Sequence, residues 1–295
     1  MRFCWPILFG FLALLGPTSA YPAVHSIDQP DWTTPIAPFQ ITDHLYYVGS
    51  KDLASYLIVT PAGDILINSS LESSPALIRK SVEQLGFRFS DVRILLISHA
   101  HWDHDAGSAA ILRATHAKYM VMDADVPVVE SGGAKDFFYP HDLYPPAHVD
   151  RILHDGDRVE LGGVVLVAHK TPGHTRGCTT WTLRAPDHGK LVNVVIVGSW
   201  NVNPGFRLVN RPGHPASYPG IAADYRKTFA VLKGLPCDVF LGAHGGYFDM
   251  LSKLARIKSG AGPSVWIDPQ GYKQAVAAHQ QAFEAELKRQ QSATQ

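Results

Sequence analysis

Cysteine is scarce in this chain, with three among 295 residues, too few for a disulfide framework. Charge of one sign is missing as well. The 26 basic residues are balanced by 26 acidic ones, so no basic footprint argues for nucleic acid or an anionic membrane surface, and a small-molecule substrate is the better expectation. Charged residues make up only 18% of the chain and hydrophobic ones 46%, which is the balance of a globular protein and not of a disordered one. Low-complexity segments, clear linkers and short internal repeats are absent too. What is abundant is histidine, at 15 residues. Neutral imidazole is the commonest nitrogen ligand of zinc, so the placement of these histidines matters more than their number.

A long apolar run occurs at the N-terminus. Arg2 is the only charge in residues 1–20, residues 4–15 are largely apolar, and Thr18-Ser19-Ala20 has the small-residue pattern of a cleavage site. This reads as a secretory signal peptide followed by one domain over 21–295. Gly10, Gly16 and Pro17 interrupt a stretch that is too short to span a bilayer, so no membrane segment is expected after cleavage. Cys4 leaves with the leader, and Cys178 and Cys237 remain.

Past the leader, β-rich runs at 46–48, 54–60 and 64–68 are punctuated by Gly and Pro, as in a meander. The period then changes. Leu77, Ile78, Val82 and Leu85 predict a helix over 74–85, and 92–97 predicts a strand buried on both faces. A helix over about 104–115, a strand at 119–122 and a short helix after Asp123 follow. Strands near 164–170, 179–183 and 191–197, a helix over 221–232, a strand at 239–241 and a final amphipathic helix over 272–289 complete the chain. This alternation predicts an α/β fold of two packed sheets with helices outside, a four-layer αβ/βα sandwich.

The chemistry concentrates in Ser98-His99-Ala100-His101-Trp102-Asp103-His104, directly after a buried strand. Residues two apart in an extended segment point to the same side, so His99 and His101 face one metal. Asp103 and His104 enter the next helical turn and face a second. Four ligand-type side chains within six residues supply a preformed edge of a dinuclear site at a strand's C-terminal end, where α/β sites lie. His174, in Thr171-Pro172-Gly173-His174, and His244, in Gly242-Ala243-His244-Gly245-Gly246, also follow strands and sit among glycines that let backbone approach a ligand. His116, His141, His148, His154, His169, His188, His214 and His279 lack such context and read as structural or surface residues.

These runs resemble the metal signature of the metallo-β-lactamase superfamily, along nearly the whole chain after the leader. The resemblance implies one zinc on His99, His101 and His174 and a second on Asp103, His104 and His244. At the end of strand 194–197, where many relatives place a metal-bridging aspartate in a Gly-Asp pair, this chain has Gly198-Ser199. Serine there together with His104 points to the third subclass of class B enzymes. The implied activity is opening of the β-lactam ring of penicillins, cephalosporins and carbapenems in the periplasm, by a monomer, through a hydroxide on zinc that Asp103 orients. Ser199, Asn201 and Asn203 are then expected to hydrogen-bond the substrate carboxylate or a bound water. The segment 131–148, rich in aromatic residues, is expected as a flap over the cleft or a packed surface loop. The competing readings are a lactonase or thioesterase on the same fold, against which Gly198-Ser199 argues, and a zinc-binding protein without catalysis. Each proposed site has three protein ligands and keeps a position open, which favours an enzyme. Many members of that subclass bond a cysteine matching Cys237 to one at the start of the last helix. Tyr272 stands there in this chain, so that disulfide is expected to be absent, and Cys178 reads as a small buried hydrophobe.

Overall fold

The computed structural model describes residues 29–292, so the leader expected over 1–20 lies outside the described residues. In chain order the elements are α1 (Pro30–Thr33), β1 (Phe39–Thr42), β2 (Leu45–Tyr47), β3 (Tyr56–Thr60), β4 (Gly63–Ile67), α2 (Pro75–Gln84), β5 (Val92–Leu96), α3 (Trp102–Asp105), α4 (Ser108–Thr115), β6 (Lys118–Met122), α5 (Val126–Glu130) and β7 (Arg151–Leu153). The second part comprises β8 (Arg158–Leu161), β9 (Val164–Lys170), β10 (Thr179–Asp187), β11 (Lys190–Val197), α6 (Ile221–Gly234), β12 (Val239–Gly242), α7 (Met250–Lys258) and α8 (Pro269–Ser292), with short 3₁₀ turns between elements.

The strands form two sheets, β1-β2-β3-β4-β5-β6-β7 and β12-β11-β10-β9-β8. Alternation along the strands decides what each sheet covers. Ile58, Ile65, Ile67, Ile94, Leu96 and Met120 point into one core with Leu166, Trp181, Leu183 and Ile196 of the second sheet, while Leu57, Leu66, Leu95 and Tyr119 point the other way, onto Ile78, Val82 and Ile111 of α2 and α4. Tyr225 and Phe229 of α6 and Phe283 of α8 close the far side of the second sheet. The layers are therefore helices, sheet, sheet, helices, the αβ/βα sandwich that the sequence predicts.

Two expectations need correction. The second part does not alternate strand and helix throughout: β8 to β11 are an antiparallel meander, and only β11 and β12, joined through α6, pair in parallel. The helix expected over 104–115 is two helices, broken at Gly107. A Cβ there would meet Ser69 O at 2.4 Å, and the Gly107 N–H donates to Ser70 O at 3.0 Å. The chain docks on the end of β4 at that point instead of continuing one helix. Cys178 is buried and free, and Cys237 is free as well.

Candidate metal centre

β5 ends at Leu96, the chain then bends at Ser98 and Ala100, and His101 is the N-cap of α3 with φ −86° and ψ 153°. This segment brings His99 and His101 together, with ring centroids 4.8 Å apart. The loop after β9 brings His174 to within 4.6 Å of the His99 ring and 4.7 Å of the His101 ring. That loop is fixed by Gly173, which has φ +132° and lies flat against Tyr225, where any Cβ would come within 2.8 Å of the ring. The donor atoms of His99, His101 and His174 all lie within 4.8 Å of one another.

The single turn of α3 presents Asp103 and His104 beside them. His104 Nε2 is 3.2 Å from Asp103 Oδ2, and His244 Nε2 is 3.2 Å from His104 Nε2 and 3.5 Å from Asp103 Oδ2. His99, Asp103 and His104 group within 4.8 Å of one another, and His244 adjoins Asp103 and His104 at the separations just given. His99, its ring 4.4 Å from that of His104, lies between the two sets.

Partners outside the sets fix the imidazoles. His174 Nδ1 donates to Asn201 O at 2.9 Å, and His244 Nδ1 donates to Asp52 Oδ2 at 2.9 Å, which leaves both Nε2 atoms for a metal. Burial holds His99 well below the ordinary imidazole range and His174 at about 3, so both are unprotonated donors. Burial opposes charge on His244 too, but its hydrogen bonds to Asp103 and Asp52 outweigh it and raise its pKa to about 9. Burial likewise opposes charge on Asp103, and the neighbouring His104 and His244 overcome it and hold the carboxyl well below its usual range. His104 Nδ1 is buried without a hydrogen-bond partner, and His101 Nε2 has the Asp136 carboxylate at 3.5 Å, beyond a good hydrogen bond. Neutral imidazoles at His99 and His174, a carboxylate and buried nitrogens short of partners fit a divalent transition metal, whose binding would displace the proton that His244 otherwise holds.

The sets open into a cleft of about 460 Å³, whose walls include Trp32, Trp102, Tyr139, Asn201, Asn203 and Tyr247. The structure brings Asn201 and Asn203 to this cleft. Ser199 is 1% exposed, with Oγ 3.1 Å from Tyr247 Oη, and stands behind the residues that line the cleft. The 131–148 segment is a packed loop. Phe137 and Phe138 pack on Phe206, Tyr144 donates to Ala100 O at 3.0 Å, and Tyr139 puts its ring 5.3 Å from that of His101.

The family model of the metallo-β-lactamase superfamily matches residues 53–244, a span that contains all six of these donors. The chain belongs to the metallo-β-lactamase superfamily. It is 52% identical to the native FEZ-1 metallo-β-lactamase from Legionella gormanii, covering 88% of this chain and 98% of that one, with a TM-score of 0.84. It is 36% identical to BJP-1, a subclass B3 metallo-β-lactamase of Bradyrhizobium japonicum, covering 90% and 98% with a TM-score of 0.81. Among curated proteins it is 34% identical to a probable metallo-hydrolase of Burkholderia pseudomallei over 103 residues, so the match spans about a third of that relative's length, 34%. With these neighbours the enzyme falls in the third subclass of class B, a metal-dependent hydrolase.

Two carboxylates of this metallo-β-lactamase carry weight that its sequence does not display. Asp52 holds His244 Nδ1 and also accepts from Gly246 N at 3.0 Å and Trp32 Nε1 at 3.2 Å. Asp125 is buried and accepts from Ala100 N at 3.0 Å, Thr175 Oγ1 at 2.8 Å and Gly177 N at 2.7 Å, tying the loop of His99 and His101 to the loop of His174. Neither stands in a ligand-like spacing, so no local signal marks them.

Proposed function

We propose that this enzyme hydrolyses the amide of β-lactam antibiotics, penicillins, cephalosporins and carbapenems, in the periplasm after loss of residues 1–20. The reading assigns one zinc to His99, His101 and His174 and a second to Asp103, His104 and His244. The observation that carries it is the pair of adjoining three-donor sets at the floor of one cleft, in a chain 52% identical to the FEZ-1 β-lactamase. Zinc held there supplies Lewis acidity toward a carbonyl and an acidified water.

The residues of the chain do the rest. Asp103, 9% exposed at the cleft floor, accepts a hydrogen bond from the attacking water and orients it toward the lactam carbon. Trp32 and Trp102, with ring centroids 5.5 Å apart, and Tyr139 give the bicyclic scaffold apolar walls and exclude bulk water. Asn201 and Asn203 supply amide donors on the same cleft. No side chain needs to form an acyl intermediate, because Ser199 is buried behind Tyr247.

A zinc-loaded preparation assayed with nitrocefin, a homoserine lactone and a thioester tests this reading. The expected result is β-lactam turnover that a chelator abolishes, that zinc restores and that clavulanate leaves untouched, with two zinc ions per chain. Alanine at His174 or at His244 should each reduce the count to about one. Lactone or thioester turnover without β-lactam turnover would assign the cleft to a different substrate.

A further inference from the structure

Among the described residues that line the cleft, none is Arg or Lys. Neutral donors on the wall are therefore what a substrate carboxylate meets: Asn201, Asn203 and the phenols of Tyr139 and Tyr247. Asn203 Nδ2 donates to Tyr139 Oη at 3.0 Å. The hydroxyl of Tyr247 has two neighbours that can donate to it. Asn201 Nδ2 donates to Tyr247 Oη at 3.0 Å. Ser199 Oγ lies 3.1 Å from the same oxygen, where either hydroxyl can donate to the other, and it accepts from Asn201 N at 3.4 Å. With the serine as donor, the phenol oxygen accepts twice and keeps its own O–H for a third partner.

The Tyr247 ring lines the cleft, so a substrate is the available source of a third partner. The ring packs 5.3 Å from Trp200 and 5.2 Å from His244, centroid to centroid, and lies over Gly242, where any Cβ would meet it at 2.8 Å. We propose that Tyr247 donates its O–H to the carboxylate of the bound β-lactam, with Ser199 and Asn201 as the positioning residues behind it. Ser199 thereby acts on substrate through Tyr247. The inference rests on the β-lactamase reading above and adds to it a substrate-binding residue.

The test compares wild type, Tyr247→Phe, Ser199→Ala and the double variant on a cephalosporin and on its methyl ester, which lacks the anionic acceptor. Tyr247→Phe should raise KM for the acid about tenfold, the scale of one hydrogen bond to a charged group. It should leave kcat, zinc content and KM for the ester within about twofold. Ser199→Ala should raise KM for the acid less, and add nothing in the Tyr247→Phe background. An equal rise for acid and ester, or no rise for the acid, overturns the proposal while the β-lactamase reading stands. A wild type that opens no β-lactam overturns both.

Discussion

Asp52 decides which nitrogen of His244 faces the metal set. Its Oδ2 takes the Nδ1 proton at 2.9 Å, and its Oδ1 is held by Gly246 N at 3.0 Å, so the carboxylate cannot swing away without losing a second bond. Removing such a partner usually weakens metal binding 10–100-fold. Asp52→Ala should therefore leave the set of His99, His101 and His174 intact and weaken the other by about that factor. Competition with a chromophoric chelator should resolve one tight and one weakened zinc; two unchanged affinities would take Asp52 out of the role. The contrast between Asp52 and His99 explains what was legible at this scale. His99, His101, Asp103 and His104 lie within six residues after a buried strand, and local backbone geometry alone aims them. Asp52 meets His244 across 192 residues, and Asp125 meets Thr175 across 50, so only the fold brings each to its partner. Ser199 was readable by its position at a strand end, whereas its Tyr247 partner, 48 residues on, comes from another loop.

β4 carries a buried carboxylate that the chemistry does not use. Asp64, 3% exposed, is pushed up to about 6 by burial, helped by Asp91 and opposed by a bond from Thr60 and by Arg93. Because the folded pKa lies above the unfolded one, the native state holds the proton more tightly. Stability is then lost as pH rises from about 4 through 6, and the loss is constant above that. Asp64→Asn keeps the acceptor for Thr60 and removes the charge. Metal-free protein should gain about 1–3 kcal/mol from it at pH 8 and almost nothing at pH 4, read from paired thermal melts. A gain independent of pH would mean that the carboxylate is not the cause. Most elements were readable where apolar periodicity was strong, as in β5, β9, β11, α2 and α6. β7 and β8 were missed because they have three and four residues, with charged side chains facing solvent at Arg151, Arg158 and Glu160. α7 was missed because only Met250 and Lys253 of its nine residues are buried.

In the molecule as a whole, the sheets bury apolar cores of their own, with Ile65, Leu96, Trp181 and Ile196 in one and Leu57, Leu66, Leu95 and Val82 in the other. The sandwich should therefore survive chelation, with far-UV dichroism unchanged at 25 °C. Bound zinc still stabilises by mass action, by about 4 kcal/mol per site at a thousandfold excess over Kd. For the two sites of a chain of this size that is a fall in Tm of roughly 15–20 °C on chelation, reversed by zinc; loss of secondary structure at 25 °C would instead make the metal part of the fold. One lacing contact sets when a metal can be taken up. Ala54 N donates to Ala243 O at 3.0 Å, Gly245 N donates to Asp52 O at 2.6 Å, and Leu53 bridges to His244, so the second set closes only when the far ends of the domain meet. Contacts of such sequence separation form late, after the cost of closing the long loop has been met. A chain still emerging from the ribosome, or threaded unfolded across a membrane, thus has the His99–His104 cluster but not its closing histidine. A metal that needs both sets closed is therefore drawn from the pool of whichever compartment folding is completed in.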